Sequence, residues 1–295
     1  MTYRLLLDVS SLTYRAYFAL KEPGVFAKDG SPVGAVHGYL DMVTKLIVDR
    51  RPDEIVHVYD HDWRPITRTD MYAGYKAARP PEPEDLTPQF KLLREVLDRT
   101  GMLQAQTEGW EAEDAIGAFC IEASEDDRID IVSGDRDLIQ LVRDPVVRLL
   151  FTVRGVSDLA EYDEAGVFAK YGVTAARYGE FAILRGDPSD GLPGVKGVGE
   201  KTARDLVLAF PSIEAMLEAA AEDSAQIKPA VRASLLASRD YLATMERLVP
   251  VNAVAPLSLW AGDRDDVGLL ADAGDLGLKG PVQRVLAALD SAHAE

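Results

Sequence analysis

Cysteine is nearly absent. Cys120 is the single one in 295 residues, so no intramolecular disulfide can form and a reducing compartment is expected. It lies in an apolar helical run and reads as a buried structural thiol. Histidine is scarce too, four in all, and no His/Cys grouping offers a zinc site. No apolar run approaches the ~18 residues that a membrane span needs. The first residues read as a strand rather than a basic-then-apolar leader, so a soluble cytoplasmic protein with no membrane partner is expected. Internal repeats and long low-complexity tracts are also missing. Positive charge is short, 32 Lys+Arg against 49 Asp+Glu, and a net −17 should repel polyanions in general. The shortage is uneven, however: residues 1–80 carry 11 Lys+Arg against 10 Asp+Glu. A hydrophobic content of 47% is ample for a packed core of one large domain or two modest ones.

Carboxylates are what the chain has in quantity, and their placement is ordered. Asp130-Ile131-Val132-Ser133-Gly134-Asp135-Arg136-Asp137-Leu138 reads as a short buried strand, a turn at Gly134, and two carboxylates able to reach one ion. Alone, such a pair is more often a loop with a helix cap. Two other strand-like runs, Arg4–Asp8 and Ile55–Asp60, also end in aspartate. In an open parallel α/β sheet ligands bind beyond the carboxyl ends of the strands, so these aspartates should converge on one crevice. Glu111-Ala112-Glu113-Asp114 opens a helix running to about Ala123, and three acids there exceed what helix-dipole preference asks for. Divalent ions bound among these acids would invert the local field.

Helices are expected at about 10–20, 33–48, 87–100, 163–171, 178–185 and 282–288, with a long one over 212–246 and an extended crossing at 248–259. Arg15 lies about two turns from Asp8, placed to steady the acids or touch a phosphate. A strand-helix-strand start gives a right-handed crossover and a parallel pair. From Arg64 to Asp85 the chain is basic and ring-studded: Arg64, Arg68, Lys76, Arg79, Met71, Tyr72 and Tyr75 precede Pro80-Pro81-Glu82-Pro83. Cations for a backbone and rings for bases suit single-stranded nucleic acid, with Tyr75 stacking on a base and Lys76 over the acidic crevice. A surface helix with two packed tyrosines is the plainer alternative. Further on, Gly194-Val195-Lys196-Gly197-Val198-Gly199-Glu200-Lys201-Thr202 sits between two helical patterns, where glycine amides and the next helix start can hold phosphate without reading sequence.

Taken together, Leu7-Asp8, Tyr59-Asp60, Gly74–Arg79, Glu111–Asp114, Ser133–Leu138 and Gly186–Ala203 resemble, in order, the bacterial 5′ nuclease or flap endonuclease family, including the amino-terminal exonuclease domain of DNA polymerase I. The resemblance spans roughly residues 3–290. It implies an α/β fold with a mostly parallel central sheet flanked by helices, over 1–175, with a helical arch at about 61–95. A helix-hairpin-helix DNA-binding domain would fill 176–295. It implies a 5′-3′ exonuclease and 5′-flap endonuclease using two or more Mg²⁺ or Mn²⁺ ions. Asp8, Asp60, Glu111 and Glu113 would hold one ion and Glu113, Asp135, Asp137 and Asp190 the other, with Asp114 and Asp187 close by. Relatives commonly have Asp where this chain has Glu113. Asp8, Asp137, Lys76 and Arg79 are the expected catalytic residues. Arg15, Arg68, Tyr75, Lys76, Gly194, Lys196, Gly197, Gly199, Lys201 and Thr202 are expected at the DNA, with K⁺ or Na⁺ at the 192–199 hairpin. The implied substrates are 5′ flaps, nicks, 5′ overhangs and RNA-primer hybrids, handled by a stand-alone monomer in replication and repair.

Two other classes share some of these features. A ribonuclease of the related acidic type has strand-end carboxylates but lacks the glycine hairpin. A non-catalytic junction binder would be repelled by clustered acids that hold no ion.

Overall fold

A computed structural model describes residues 2–22 and 24–292. Strands β1 (Tyr3–Asp8), β2 (Glu54–Tyr59), β3 (Leu103–Gln106), β4 (Arg128–Ser133), β5 (Val147–Thr152), β6 (Leu159–Tyr162) and β7 (Ser258–Trp260) form one sheet in the order β6-β5-β4-β1-β2-β3-β7. Strands β1 to β5 are mutually parallel, and the edges β6 and β7 run antiparallel to β5 and β3. The inner strands are apolar on both faces, as strands covered twice must be. Leu6, Val56, Ile131 and Leu149 feed one core layer, while Leu5, Leu7, Ile55, Val132 and Leu150 feed the other.

Helices α1 (Val9–Leu20), α2 (Gly34–Arg50), α3 (Ile66–Met71), α4 (Thr87–Thr100), α5 (Ala112–Glu122), α6 (Glu164–Tyr171), α7 (Tyr178–Arg185), α8 (Glu200–Ala209), α9 (Ile213–Ala221), α10 (Pro229–Ala237), α11 (Arg239–Leu248), α12 (Asp266–Asp272) and α13 (Lys279–Ala292) complete the chain. α1, α2, α4, α12 and α13 bury apolar residues in the layer holding Leu5 and Leu7, and α5 to α11 do so in the layer holding Leu6. From β1 the chain winds outward through β2 to β3, then crosses to β4 and winds the other way to β5. The reversal falls between β1 and β4. Crossovers diverge there and leave a crevice at the strands' carboxyl ends.

Several expectations need correction. The run 212–246 is three helices rather than one, because Asp223 turns with φ 57°, Pro229 opens α10 and Ser238 parts α10 from α11. Residues 258–292 were expected in the helical DNA-binding part. Instead β7 pairs with β3, and α13 packs with α2 in the layer holding Leu5 and Leu7. β3, β6, β7 and α12 were not anticipated. The basic segment is helical only in α3, and beyond Met71 it runs in turns in which Lys76 takes φ 51°.

Candidate active site

The sheet delivers three polar side chains to the switch point. Asp8 ends β1 and caps α1, accepting the Ser11 N–H at 3.0 Å. Its other oxygen accepts the Ser133 hydroxyl at 2.6 Å, which ties β1 to the end of β4. Asp60 follows β2 and accepts the Ala112 N–H at 2.8 Å, fixing the start of α5 beside the strand end. At that start Glu111 and Asp114 form a reciprocal capping box, and of the two Glu111 lines the crevice while Asp114 is buried behind it. After β4 the Ser133 hydroxyl accepts the Asp135 N–H at 2.9 Å, and Asp135 accepts the Asp137 N–H at 2.9 Å. The turn at Gly134 thereby aims both carboxylates inward.

Two carboxylate triplets result, Glu111–Glu113–Asp114 and Glu113–Asp135–Asp137, each with ligand atoms within 4.8 Å of one another. Burial first, and then Asp60, pushes the Asp8 carboxyl up to about 7. Burial and Asp135 push Asp137 well above the carboxylate range. Burial and Glu113 lift Asp135 to about 6 and Glu111 to about 8. Glu113 is buried too, yet Arg68 and Lys76 hold it below its usual value. Crowded acids of this kind are costly to ionise unless a cation joins them. Oxygen-only donors at this spacing fit Mg²⁺ or Mn²⁺, hard ions that keep part of their water shell.

Cations from the basic segment close over the cluster. Lys76 is 4% exposed and its ammonium pairs with Glu111. Arg79 is exposed and binds Asp190 at 2.8 Å. The Lys76 N–H bonds to the Asp190 carbonyl at 2.9 Å, which docks the 187–192 loop against this segment. Asp187 is turned to its own loop, accepting the Ser189 N–H at 2.9 Å, with the Arg185 guanidinium 3.8 Å away. The surrounding crevice, about 1800 Å³, is lined by Asp8, Asp60, Glu111, Glu113, Asp135 and Asp187 and by the cations Arg15, Lys76, Arg79 and Arg94.

Two side chains and one backbone amide lie elsewhere than expected. Arg68, expected at DNA, is buried and paired with Glu111, Glu113 and Asp114. Tyr75, expected to stack on a base, is 2% exposed and donates its hydroxyl to Glu111 at 2.7 Å. The Gly194 amide, expected to face an anion, is bonded inward to the Tyr241 hydroxyl at 3.1 Å. Lys196, Gly197, Gly199 and Lys201 are exposed around the buried anchors Val195 and Val198, and Thr202 is partly exposed at the start of α8. Arg15 reaches the Val153 carbonyl at 3.2 Å on the crevice wall. Sequence reading missed Ser133, whose signal was its place between strand and turn. It also missed Trp63, an indole 48% exposed on the crevice wall.

Residues 3–172 match the family model described as 5′-3′ exonuclease, N-terminal resolvase-like domain, and residues 173–265 match 5′-3′ exonuclease, C-terminal SAM fold. A 5′-3′ exonuclease of Streptomyces coelicolor is 42% identical over 97% of this chain and 99% of its own. DNA polymerase I of Mycobacterium leprae is 35% identical over 91% of this chain, but only 30% of that protein is covered. Among solved structures, the T5 D15 protein co-crystallised with metal ions has the same fold, with TM-score 0.67 at 18% identity over 97% of this chain and 98% of that one. Flap endonuclease-1 from Methanococcus jannaschii gives 0.64 at 16% identity, over 98% and 93%. The chain belongs to the 5′-3′ exonuclease family.

Proposed function

We propose that the protein is a structure-specific 5′-3′ exonuclease and 5′-flap endonuclease that hydrolyses phosphodiester bonds near single-strand/duplex junctions. The observation that carries this reading is the convergence of Asp8, Asp60, Glu111, Glu113, Asp135 and Asp137 at the switch point of a parallel sheet. Two Mg²⁺ or Mn²⁺ ions would be held among these carboxylates and Asp190, supplying an activated water and charge stabilisation at the leaving oxygen when bound. The remaining work belongs to the chain. Lys76 and Arg79 stand over the carboxylates and favour negative charge building on the scissile phosphate. Their positions are tied to the 187–192 loop, so the helical part and the acids are set in register. Trp63, exposed where Tyr75 is not, offers the ring for an unpaired base.

Lys196, Lys201, Thr202 and the amides near Gly197 and Gly199 grip duplex backbone, with K⁺ or Na⁺ at the 192–199 hairpin. Such contacts position the duplex without reading it. Substrates of this kind arise in replication and repair, including RNA-primer hybrids, and a cytoplasmic monomer suits them. Among the described residues no helix is long and apolar enough to cross a membrane. Labelled 5′-flap duplex, nicked duplex and single-stranded RNA, offered in parallel with Mg²⁺, test the reading. Preferred cleavage of the flap and nick supports it, and preference for single-stranded RNA contradicts it.

A further inference from the structure

The spacing of Glu111, Glu113 and Asp114 is that of a metal site, but a cation already occupies their midst. Arg68 leaves α3 with 2% of its surface exposed. Its Nη1 pairs with Glu111 and lies 2.7 Å from Glu113 Oε1, while Nη2 lies 2.8 Å from Asp114 Oδ1. Lys76 takes the other Glu111 oxygen. Asp114 is wholly buried: Oδ1 also accepts the Asn252 N–H at 2.8 Å, and Oδ2 accepts the Glu111 N–H at 3.2 Å. A hydrated divalent ion needs free oxygens and room for its waters, and Asp114 offers neither. Within this triplet two fixed positive charges already face three carboxyls.

The other acids are the reverse case. Among the described residues no Lys or Arg pairs with Asp8, Asp60, Asp135 or Asp137, and Asp8, Asp60 and Asp135 line the open crevice. The planar fork of a guanidinium suits several carboxylates at fixed angles better than a point charge does. We infer that Arg68 is the built-in counter-cation of the Glu111–Glu113–Asp114 triplet. Asp114 then ligates no ion, the divalent ions belong to the Asp8/Asp60 and Asp135/Asp137 sides, and Arg68 is a positioning residue that presents the free oxygen of Glu113 while keeping a surplus ion out. This rests on the metal-dependent reading above.

Removing the guanidinium leaves buried carboxylates uncompensated, which destabilises the fold and opens a place for a divalent ion. The test is Mn²⁺ stoichiometry by calorimetry and electron paramagnetic resonance, with thermal unfolding in chelator and in saturating Mn²⁺. Wild type is compared with Arg68→Ala, Arg68→Lys and Asp114→Asn. Arg68→Ala is expected to bind one more Mn²⁺ than wild type and to recover with Mn²⁺ more of its lost Tm than wild type gains. Arg68→Lys and Asp114→Asn are expected to keep the wild-type count. Should Arg68→Ala not fold in chelator, the count is taken on protein refolded in Mn²⁺, and the two other variants still carry the comparison. An unchanged or lower count in Arg68→Ala, or a lost ion in Asp114→Asn, overturns the inference while leaving the metal-dependent reading intact. A wild-type protein that binds no Mn²⁺ overturns both.

Discussion

Asp137 and Lys76 stand on different sides of one carboxylate cluster, and replacing them should fail differently. Asp137 has no basic partner among the described residues and is held by the Asp135 turn. Asp137→Ala is expected to abolish cleavage while flap binding stays measurable by gel shift, since the hairpin and basic segment remain. Lys76 is buried against Glu111, so Lys76→Ala should lower single-turnover cleavage by roughly 10²-fold, with affinity changed much less. Rates within about threefold of wild type at saturating enzyme would remove Lys76 from the site.

The same acids set a pH dependence. Asp8 and Glu111 rise from ordinary values of 3.8 and 4.5 to about 7 and about 8 in the folded chain. A raised acid stabilises the fold at low pH and loses that stabilisation as pH climbs through its folded value. Metal-free protein should therefore lose Tm between about pH 5 and about pH 8, while the Tm gain from Mg²⁺ should grow over the same range because ligands must shed protons. A Mg²⁺-dependent gain that shrinks as pH rises would contradict this. At this scale the carboxylates were legible in the sequence because each follows a strand or opens a helix. The fates of Arg68 and Tyr75 were not, because nothing local distinguishes a basic, ring-bearing segment that faces solvent from one folded back onto acids.

The hairpin between α7 and α8 carries the element-scale prediction. Val195 and Val198 anchor it, and the Tyr241 hydroxyl bridges the Gly194 amide and the Ile183 carbonyl, so Lys201 is presented on a stiff support. Lys201→Glu should weaken duplex binding and lower its salt dependence without moving the cut, because a phosphate contact positions and does not select. Unchanged affinity and salt slope in fluorescence titrations would take the hairpin out of the interface. Elements with strong periodicity were readable: β1, β2, β4, α2, α4 and α5 lie close to where the pattern puts them. β3 was hidden by two glutamines, and Gln104 is buried only because Tyr59 and Asp98 satisfy its amide at 2.8 and 2.6 Å. β7 is three residues long and gains its identity from pairing with β3, a long-range fact that no local window contains.

Across the whole molecule, topology turns scattered aspartates into a site. β1 lies between β2 and β4, so Asp8, Asp60 and the Asp135–Asp137 turn meet although they are far apart in sequence. A net charge of −17 is compatible with a nucleic-acid substrate because Lys76 and Arg79 line the crevice, Lys196 and Lys201 are exposed on the hairpin, and divalent ions bound among the clustered acids would offset part of the acidic excess. The most direct measurement uses a 5′-flap duplex labelled at its 5′ end, incubated with Mg²⁺, with Mn²⁺ or with chelator, and product length read on a gel. The expected result is a cut at or near the junction with either ion and intact substrate in chelator. Cleavage that persists in chelator, or flap binding with no cut in either ion, would contradict a carboxylate-held metal centre as the seat of the chemistry.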